Sequence, residues 1–283
     1  MRSEKEMMNL ILLFAKEDER IRVVGMNGSR VNQNVPRDDF QDYDIVYVVT
    51  DMLSFIEDDK WIDYFGERII LQKPEAMSLY PAELGNWFSY LMLLEDDIRL
   101  DLMLIPLEEL DFYLNDDSLT EILLDKDQRV NQTLSPSDRD YHVKKPSNTC
   151  FDDCCNEFWW VCTYVAKGLC RNELIYANDH FEKIVREELL RMLAWKVGIE
   201  TNFSVSVGKS YKYLVEFVDE KVWEQIISTY KLDTIAACWQ SLFTAQQLFR
   251  VLSSNVAKQH GYAYPEYDEM VSKYIKKLYQ NHS

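Results

Sequence analysis

The sequence predicts an α+β protein in which a domain of strands and helices, residues 1–145, is followed by an all-helical bundle, residues 146–283. Three observations predict this division. Short β-branched and aromatic runs of strand length are confined to the first part of the chain. Residues 144–147 then break the pattern with a proline. The segments that follow are long, have apolar residues at helical spacing and contain few Gly or Pro residues.

The first domain is expected to open with a helix over residues 4–18, where apolar side chains recur at helical spacing. Apolar runs rich in Val, Ile, Tyr and Phe predict strands. These strands are expected at residues 21–26, 43–49, 67–72, 88–94 and 98–105. The last two flank residues 95–97, which predicts a β-hairpin.

The second domain is expected to contain long amphipathic helices. They are predicted at residues 149–171, 173–197, 219–230, 233–259 and 264–280, with loops around 200–210 and at Gly261. Five of the six cysteines lie between Cys150 and Cys170 without the paired spacing of a zinc site. We interpret them as reduced thiols that fill a helical core.

The charge of the chain limits its partners. Lys and Arg number 31 against 48 Asp and Glu, which gives a net charge of −17. This field repels nucleic acid and anionic membrane surfaces and attracts a polycationic small molecule. The chain has no run of eighteen apolar residues and no secretory signal pattern, so we expect a cytoplasmic protein. The sequence indicates no particular oligomeric state.

The chemistry is predicted to lie with three acids. Asp42 and Asp44 are two residues apart, a spacing that in a strand directs both carboxylates to one face. Asp101 is a single acid within an otherwise apolar strand, where a carboxylate is costly unless it is paired or bound to metal. Pairs of acids two residues apart are common by chance in so acidic a chain. The prediction therefore rests on the combination of this pair with Asp101 and with the turn that follows the first predicted strand. We expect these acids to bind Mg²⁺.

A turn that follows the first predicted strand completes this pattern. Gly28 and Ser29 offer backbone N–H groups and a hydroxyl to phosphate oxygens, and Arg30 adds positive charge. With a nucleoside triphosphate on this turn and metal on the acids, the expected reaction is nucleotidyl transfer. Asp101 is then either the general base for the acceptor hydroxyl or a ligand of a second metal.

These residues resemble the signature of the polymerase-β-type nucleotidyltransferase superfamily, although Asn27 stands where that signature has an apolar residue. The resemblance implies a mixed sheet in the first domain. A closer resemblance, to the aminoglycoside 6-adenylyltransferases, extends over nearly the whole chain. It is carried by residues 1–8, 40–45, 152–159, 167–171 and 262–268. It implies ATP as co-substrate, Mg²⁺, transfer of AMP to the 6-hydroxyl of streptomycin, and antibiotic resistance.

Further candidates follow from the expected substrates. Asp153 and Glu157, four apart on one helical face, and the Trp87 ring suit a guanidinium-bearing acceptor. The alternatives are a solvated first turn of a helix for the two acids and a structural role for Trp87. Lys167 and Lys209 are candidates for the triphosphate, because related two-domain nucleotidyltransferases use lysines of the helical domain there. Either lysine is otherwise an ordinary surface residue.

Two other functions compete with streptomycin adenylylation. One is a catalytically silent nucleotidyltransferase-like domain that binds ATP; the intact acids Asp42, Asp44 and Asp101 argue against it. The other is an enzyme that adenylylates a different hydroxyl acceptor, such as a protein, or that extends RNA. The charge of −17 argues against RNA.

Overall fold

The computed structural model describes residues 2–131 and 134–282. The chain divides into two compact units, Met1–Asp140 and Tyr141–Ser283. The predicted boundary after residue 145 lies close to this division. Each unit has its own buried apolar core.

Strands of the first unit form one mixed sheet. They are β1 (Ile21–Asn27), β2 (Tyr43–Val49), β3 (Arg68–Gln72), β4 (Phe88–Leu94), β5 (Arg99–Pro106) and β6 (Thr120–Asp125). Among the described residues the order across the sheet is β3-β4-β5-β2-β1-β6, with β2 and β5 parallel and the other neighbours antiparallel. The five predicted strands and the hairpin at residues 95–97 are confirmed, whereas β6 was not predicted.

The two faces of this sheet are covered differently. The first unit contains helices α1 (Glu4–Glu17), α2 (Leu53–Glu57) and α3 (Leu110–Asp116). Helix α1, predicted at residues 4–18, packs on the face that carries Tyr47, whose hydroxyl donates to the carbonyl of Ile11 at 2.8 Å. The short α3 packs on the opposite face against Val46 and Val48. Because α3 spans few residues, part of that face stays open beside it.

Helices make up most of the second unit. They are α4 (Asn148–Cys170), α5 (Leu174–His180), α6 (Arg186–Glu200), α7 (Glu220–Ser228), α8 (Ile235–His260) and α9 (Tyr267–His282). The predicted helices are confirmed with one correction. The segment 173–197 is not one regular α-helix, because a π-helical turn, Phe181–Val185, joins α5 to α6. Such a turn accommodates an extra residue. Here it precedes the buried Arg186, whose guanidinium donates to the Thr229 carbonyl at 2.9 Å.

Four of the cysteines lie in the core of this second unit, as predicted: Cys154, Cys155, Cys162 and Cys238. The prediction is wrong for Cys150, which is exposed at the beginning of α4. No helix in residues 2–131 and 134–282 combines the length and the apolar character needed to cross a membrane.

Candidate active site

Two of the predicted acids lie side by side on the open face of the sheet. Asp44 on β2 pairs in register with Asp101 on β5, its parallel neighbour. Both side chains line a cavity of about 340 Å³ that Trp87 and Gly28 also line. Asp42 precedes β2 and lines a different depression. The sheet therefore brings Asp44 and Asp101 together directly, and Asp42 approaches them from the strand end.

Asp44 carries its charge at a cost. Burial, together with repulsion from Asp101 and Asp42, raises the pKa of Asp44 to about 6, against the weaker opposing effects of Arg99 and Arg30. Within the described residues no side chain or backbone group donates a hydrogen bond to its carboxylate. A bound cation would relieve this repulsion, so the electrostatics favour cation binding here.

Arg99 already places one positive group between the acids. Its Nε and Nη2 donate to the two carboxylate oxygens of Asp101 at 2.9 and 2.7 Å. Its Nη1 lies 3.5 Å from a carboxylate oxygen of Asp42. Asp101 first, and then Asp42, raise the pKa of the Arg99 guanidinium. The guanidinium is thus a cation that bridges Asp42 and Asp101 in this site. Arg99 was not among the residues predicted from the sequence.

Gly28 is required for the close approach of the turn to Asp44. The 3-10 turn Gly28–Arg30 begins directly after Asn27, the last residue of β1 and the partner of Asp44 in the sheet. Gly28 has φ of +74°, in the left-handed region, and a Cβ atom there would collide with the carboxylate of Asp44. A residue with a side chain would therefore displace either the turn or the acid.

Asn27, the departure from the superfamily pattern, has a structural explanation. Its side-chain amide donates to the Thr120 hydroxyl at 2.7 Å, and its side-chain oxygen accepts from the Tyr113 hydroxyl at 2.8 Å. The polar side chain therefore links β6 and α3 at the point where the Gly28 turn begins. Neither contact could be predicted, because β6 and α3 are not among the elements that the sequence predicts.

Arg30 locks the turn to the segment that precedes β2. Its guanidinium donates to the carbonyls of Gln41 and Asp42 at 2.7 and 3.0 Å and stacks on the Tyr43 ring at 3.7 Å. The Gln41 amide donates in return to the carbonyl of Ser29 at 3.1 Å. The structure thus places the Arg30 side chain on the backbone that positions Asp42.

Trp87 both supports the fold and borders the cavity. It is 9% exposed, and its indole Nε1 donates to a Glu109 carboxylate oxygen at 2.6 Å. Its ring makes edge contacts with Phe112 and Tyr113 of α3. Trp87 also lines the cavity that Asp44 and Asp101 line.

The other predicted contacts lie in the second unit. Asp153 and Glu157 are exposed on α4, which begins at Asn148. Their exposure fits the alternative of solvated acids, but both lie beyond the first turn, where the helix dipole acts. Lys167, also on α4, lies 5.2 Å from the Tyr164 ring centre, and Lys209 is exposed in a short 3-10 turn.

The donor set suits a hard divalent ion. Carboxylate oxygens are the ligands that Mg²⁺ prefers. In the described part of the chain no group of three or more His, Cys, Asp or Glu side chains is arranged as a complete metal site. Asp101 makes two bonds with Arg99, and Asp42 approaches the same guanidinium. A metal ion bound here would compete with Arg99 for these carboxylate oxygens.

Comparison with known proteins shows which family the chain resembles. The family model described as streptomycin adenylyltransferase matches residues 1–278. An aminoglycoside 6-adenylyltransferase of Bacillus subtilis (strain 168) is 52% identical over 280 residues, 99% of each chain. One of Campylobacter jejuni is 54% identical over 275 residues, 97% of this chain and 95% of the relative. The crystal structure of an aminoglycoside 6-adenyltransferase from Bacillus subtilis matches over 99% of both chains at 48% identity, with a TM-score of 0.49. The chain belongs to the streptomycin adenylyltransferase family.

Proposed function

We propose that the protein transfers AMP from ATP to the 6-hydroxyl of streptomycin in a Mg²⁺-dependent reaction and thereby inactivates the antibiotic. Membership of the family makes it a transferase that adenylylates an aminoglycoside. The observation that carries the proposal is the pairing of Asp44 with Asp101 on parallel strands, against the Gly28 turn. The net charge of −17 suits a cationic acceptor in the cytoplasm.

Asp42, Asp44 and Asp101 are the proposed Mg²⁺ ligands. Support comes from their oxygen donors, from the raised pKa of Asp44 and from the guanidinium that bridges Asp42 and Asp101. With two Mg²⁺ ions held by these acids, as proposed, the phosphate charge would be reduced and the acceptor hydroxyl would be more acidic. The chain contributes by holding Asp44 between β1 and β5, so that its carboxylate stays next to the Gly28 turn.

Gly28 and Ser29 are proposed to bind the triphosphate through backbone N–H groups and the serine hydroxyl. Arg30 supports them by fixing the distance between this turn and Asp42 through the carbonyls that it binds. Any direct contact of Arg30 with phosphate remains a prediction. Lys167 and Lys209 are proposed to neutralise further triphosphate charge.

Asp101 is proposed to act on the acceptor hydroxyl. As general base it would take the hydroxyl proton on one carboxylate oxygen while the acceptor oxygen attacks the α-phosphorus and pyrophosphate leaves. Each of its oxygens accepts one bond from Arg99 in this structure and keeps a second lone pair for the hydroxyl proton. Asp101→Asn distinguishes the two roles, because a base mutant keeps its affinity for Mg²⁺ and a ligand mutant loses it.

Asp153, Glu157 and Trp87 are the proposed acceptor contacts from sequence reasoning. Two carboxylates on one exposed helical face suit a guanidinium, and Trp87 lines the cavity of Asp44. Substituting Asp153 and Glu157 by Asn and Gln should raise the KM for streptomycin without changing the KM for ATP.

The test is mass spectrometry of streptomycin after incubation with the protein, ATP and Mg²⁺, with other aminoglycosides and a chelator as controls. A chelator-sensitive adduct of one AMP on streptomycin is expected. An adduct on other aminoglycosides but not on streptomycin would refute the proposed acceptor. Absence of any adduct while ATP binds would point to a silent domain.

A further inference from the structure

Tyr113 is a buried tyrosine of α3 whose hydroxyl reaches the last residue of β1. It is 3% exposed, and its hydroxyl donates to the side-chain oxygen of Asn27 at 2.8 Å. Gly25, two residues before Asn27 on β1, leaves room for the phenol, because a Cβ atom there would collide with the hydroxyl. A glycine inside a strand often marks such a close approach. The hydroxyl remains a donor near neutral pH, since burial and the charge of Asp117 raise the pKa of Tyr113.

The side-chain amide of Asn27 has one orientation in this network. Its nitrogen donates to the Thr120 hydroxyl at 2.7 Å and to the Leu119 carbonyl at 3.4 Å. The Thr120 hydroxyl donates its own proton to the carbonyl of Asp117 at 2.7 Å, so it accepts the bond from Asn27. Both N–H groups of the amide are therefore directed toward β6. The oxygen, which accepts from Tyr113, lies at the other end of the amide.

Asp44 is the neighbour that this orientation affects. Asn27 and Asp44 lie opposite each other on the antiparallel strands β1 and β2, and both line the same cavity. Opposite side chains in such a pair have Cβ atoms about 4.5–5.5 Å apart, within reach of a hydrogen bond. A carboxylate is also a stronger acceptor than a hydroxyl or a carbonyl, because its bonds are charge-assisted. Nevertheless, no residue within 2–131 and 134–282 donates a hydrogen bond to the Asp44 carboxylate.

We infer that Tyr113 is a positioning residue that keeps the amide N–H groups of Asn27 away from Asp44. Its hydroxyl holds the Asn27 oxygen and thereby fixes both N–H groups on the β6 side, so the Asp44 carboxylate keeps its lone pairs for a cation. Without this hydroxyl the oxygen loses its donor, and the amide turns and donates to Asp44, which then binds a divalent ion more weakly. The inference rests on the proposed function, because it presumes that Asp44 is a Mg²⁺ ligand.

The experiment removes the hydroxyl with Tyr113→Phe and measures the dissociation constant of Mn²⁺ by electron paramagnetic resonance, without ATP. Mn²⁺ should bind about fivefold more weakly than to wild type, the effect of one competing hydrogen bond. A crystal structure of metal-free Tyr113→Phe should show the Asn27 nitrogen within hydrogen-bond distance of Asp44. Tyr47→Phe is the matched control and should not change Mn²⁺ binding. Tyr47 is also buried, and its hydroxyl makes a bond of the same 2.8 Å length to Ile11 on the opposite face of the sheet.

A second substitution separates positioning from a purely structural role. Leucine is close to asparagine in shape but has no N–H group. Asn27→Leu in the Tyr113→Phe background should therefore return the Mn²⁺ affinity to within about twofold of wild type. A purely structural role predicts instead that the double variant binds Mn²⁺ no more tightly than Tyr113→Phe does. Circular dichroism checks folding, and Asn27→Ala replaces Asn27→Leu if the double variant does not fold.

Several outcomes would overturn the inference. Unchanged Mn²⁺ affinity in Tyr113→Phe would leave Asp44 as a ligand and remove the role of Tyr113. An Asn27 amide that stays on Thr120 in the Tyr113→Phe structure would remove it as well, and failure of Asn27→Leu to restore binding would assign Tyr113 to packing alone. If the wild type itself binds no Mn²⁺, the proposed metal site fails and the inference fails with it, so the two failures are distinct.

Discussion

Asp44 in the first unit and Asp268 in the second are both acids withdrawn from water, yet their surroundings are opposite. Asp268 is 3% exposed and accepts hydrogen bonds from the Arg250 guanidinium at 2.6 and 2.7 Å and from the Tyr264 hydroxyl at 2.7 Å. These bonds lower its pKa in spite of burial. Asp44 instead has two neighbouring acids, and its pKa rises to about 6. One carboxylate has its partners within the chain, whereas the other accepts no hydrogen bond from a described residue, which is the contrast expected between a structural acid and a proposed functional one.

The sharpest test of this contrast exchanges Asp44 for Asn. Asp44→Asn should lower the rate of AMP transfer by about 10³-fold, because it removes charge where phosphate and metal are expected to gather. The fold should persist, since no hydrogen bond from a described residue to this carboxylate is lost. Transfer is followed by mass spectrometry and folding by circular dichroism. Near-normal turnover would end the assignment of Asp44 to the active site.

The reciprocal substitution, Asp268→Asn, should affect stability more than rate. It leaves the Arg250 guanidinium without its carboxylate and weakens the bond from Tyr264. Because the Arg250 side chain is 41% exposed, we expect a loss of about 2 kcal/mol in the free energy of unfolding, less than for a fully buried pair. Urea denaturation measures this loss. A strong decrease in turnover by fully folded Asp268→Asn would contradict the contrast.

The pH dependence of stability should have opposite signs for the two acids. The folded pKa of Asp44, about 6, exceeds its ordinary value of 3.8, so the folded state binds more protons between these pH values. The contribution of Asp44 to the free energy of unfolding therefore falls as pH rises from about 4 to 6. Asp268, with a lowered pKa, contributes stability above its ordinary pKa and loses it as pH falls.

Asp44→Asn should accordingly stabilise the metal-free protein at pH 7, by about 2 kcal/mol after allowance for its partial exposure. Urea denaturation at pH 4, 5, 6 and 7, with chelator present, gives the difference between variant and wild type. Equal stability of variant and wild type at every pH would show that burial and the neighbouring acids do not raise the pKa of Asp44. Asp96→Asn is a useful control, because the Arg2 guanidinium lowers the pKa of Asp96 to about 2, and its loss should destabilise.

The smallest effect concerns Arg99. Since its guanidinium binds Asp101 and approaches Asp42, Arg99→Ala should make binding of a divalent ion tighter by about threefold. The effect is small because the Arg99 side chain is 49% exposed. Titration of the protein with Mn²⁺, followed by electron paramagnetic resonance, measures it without ATP. Arg22→Ala is the control, because Arg22 also binds an acid of the first unit, Asp127, at another place. Weaker Mn²⁺ binding in Arg99→Ala would mean that Arg99 orients the ligands.

The sequence predicted the long strands and helices well. It predicted neither the short elements α3 and β6 nor the order of the strands across the sheet. Residues 43–49 and 88–94 were predicted as strands with the observed bounds, because their β-branched and aromatic runs are unbroken. Helix α3 and strand β6 were missed, although Leu110, Tyr113 and Leu114 have helical spacing. Short elements carry too few residues for a periodic signal to stand out.

The candidate site shows the same limit. Asp44, Asp101 and Gly28 could be selected because each is unusual where it stands in the sequence. Ser89 and Asp116, which line the cavity beside Asp44, could not, since a serine in a strand and an acid at a helix end are ordinary. They reach the cavity through the pairing of β4 with β5 and through the packing of α3, which depend on contacts between distant segments. Register across a sheet is set by such contacts and not by local pattern.

Gly28 also has a consequence for how the protein can change. The space for a methyl group at this position is already occupied by the Asp44 carboxylate. Any substitution at Gly28 would therefore also shift Asp44, and it would disturb the proposed triphosphate turn and a proposed metal ligand together. If the proposed function holds, bacteria selected for growth on streptomycin should tolerate many replacements at exposed acids such as Asp111, and none at Gly28. A saturation library at this codon would return glycine alone.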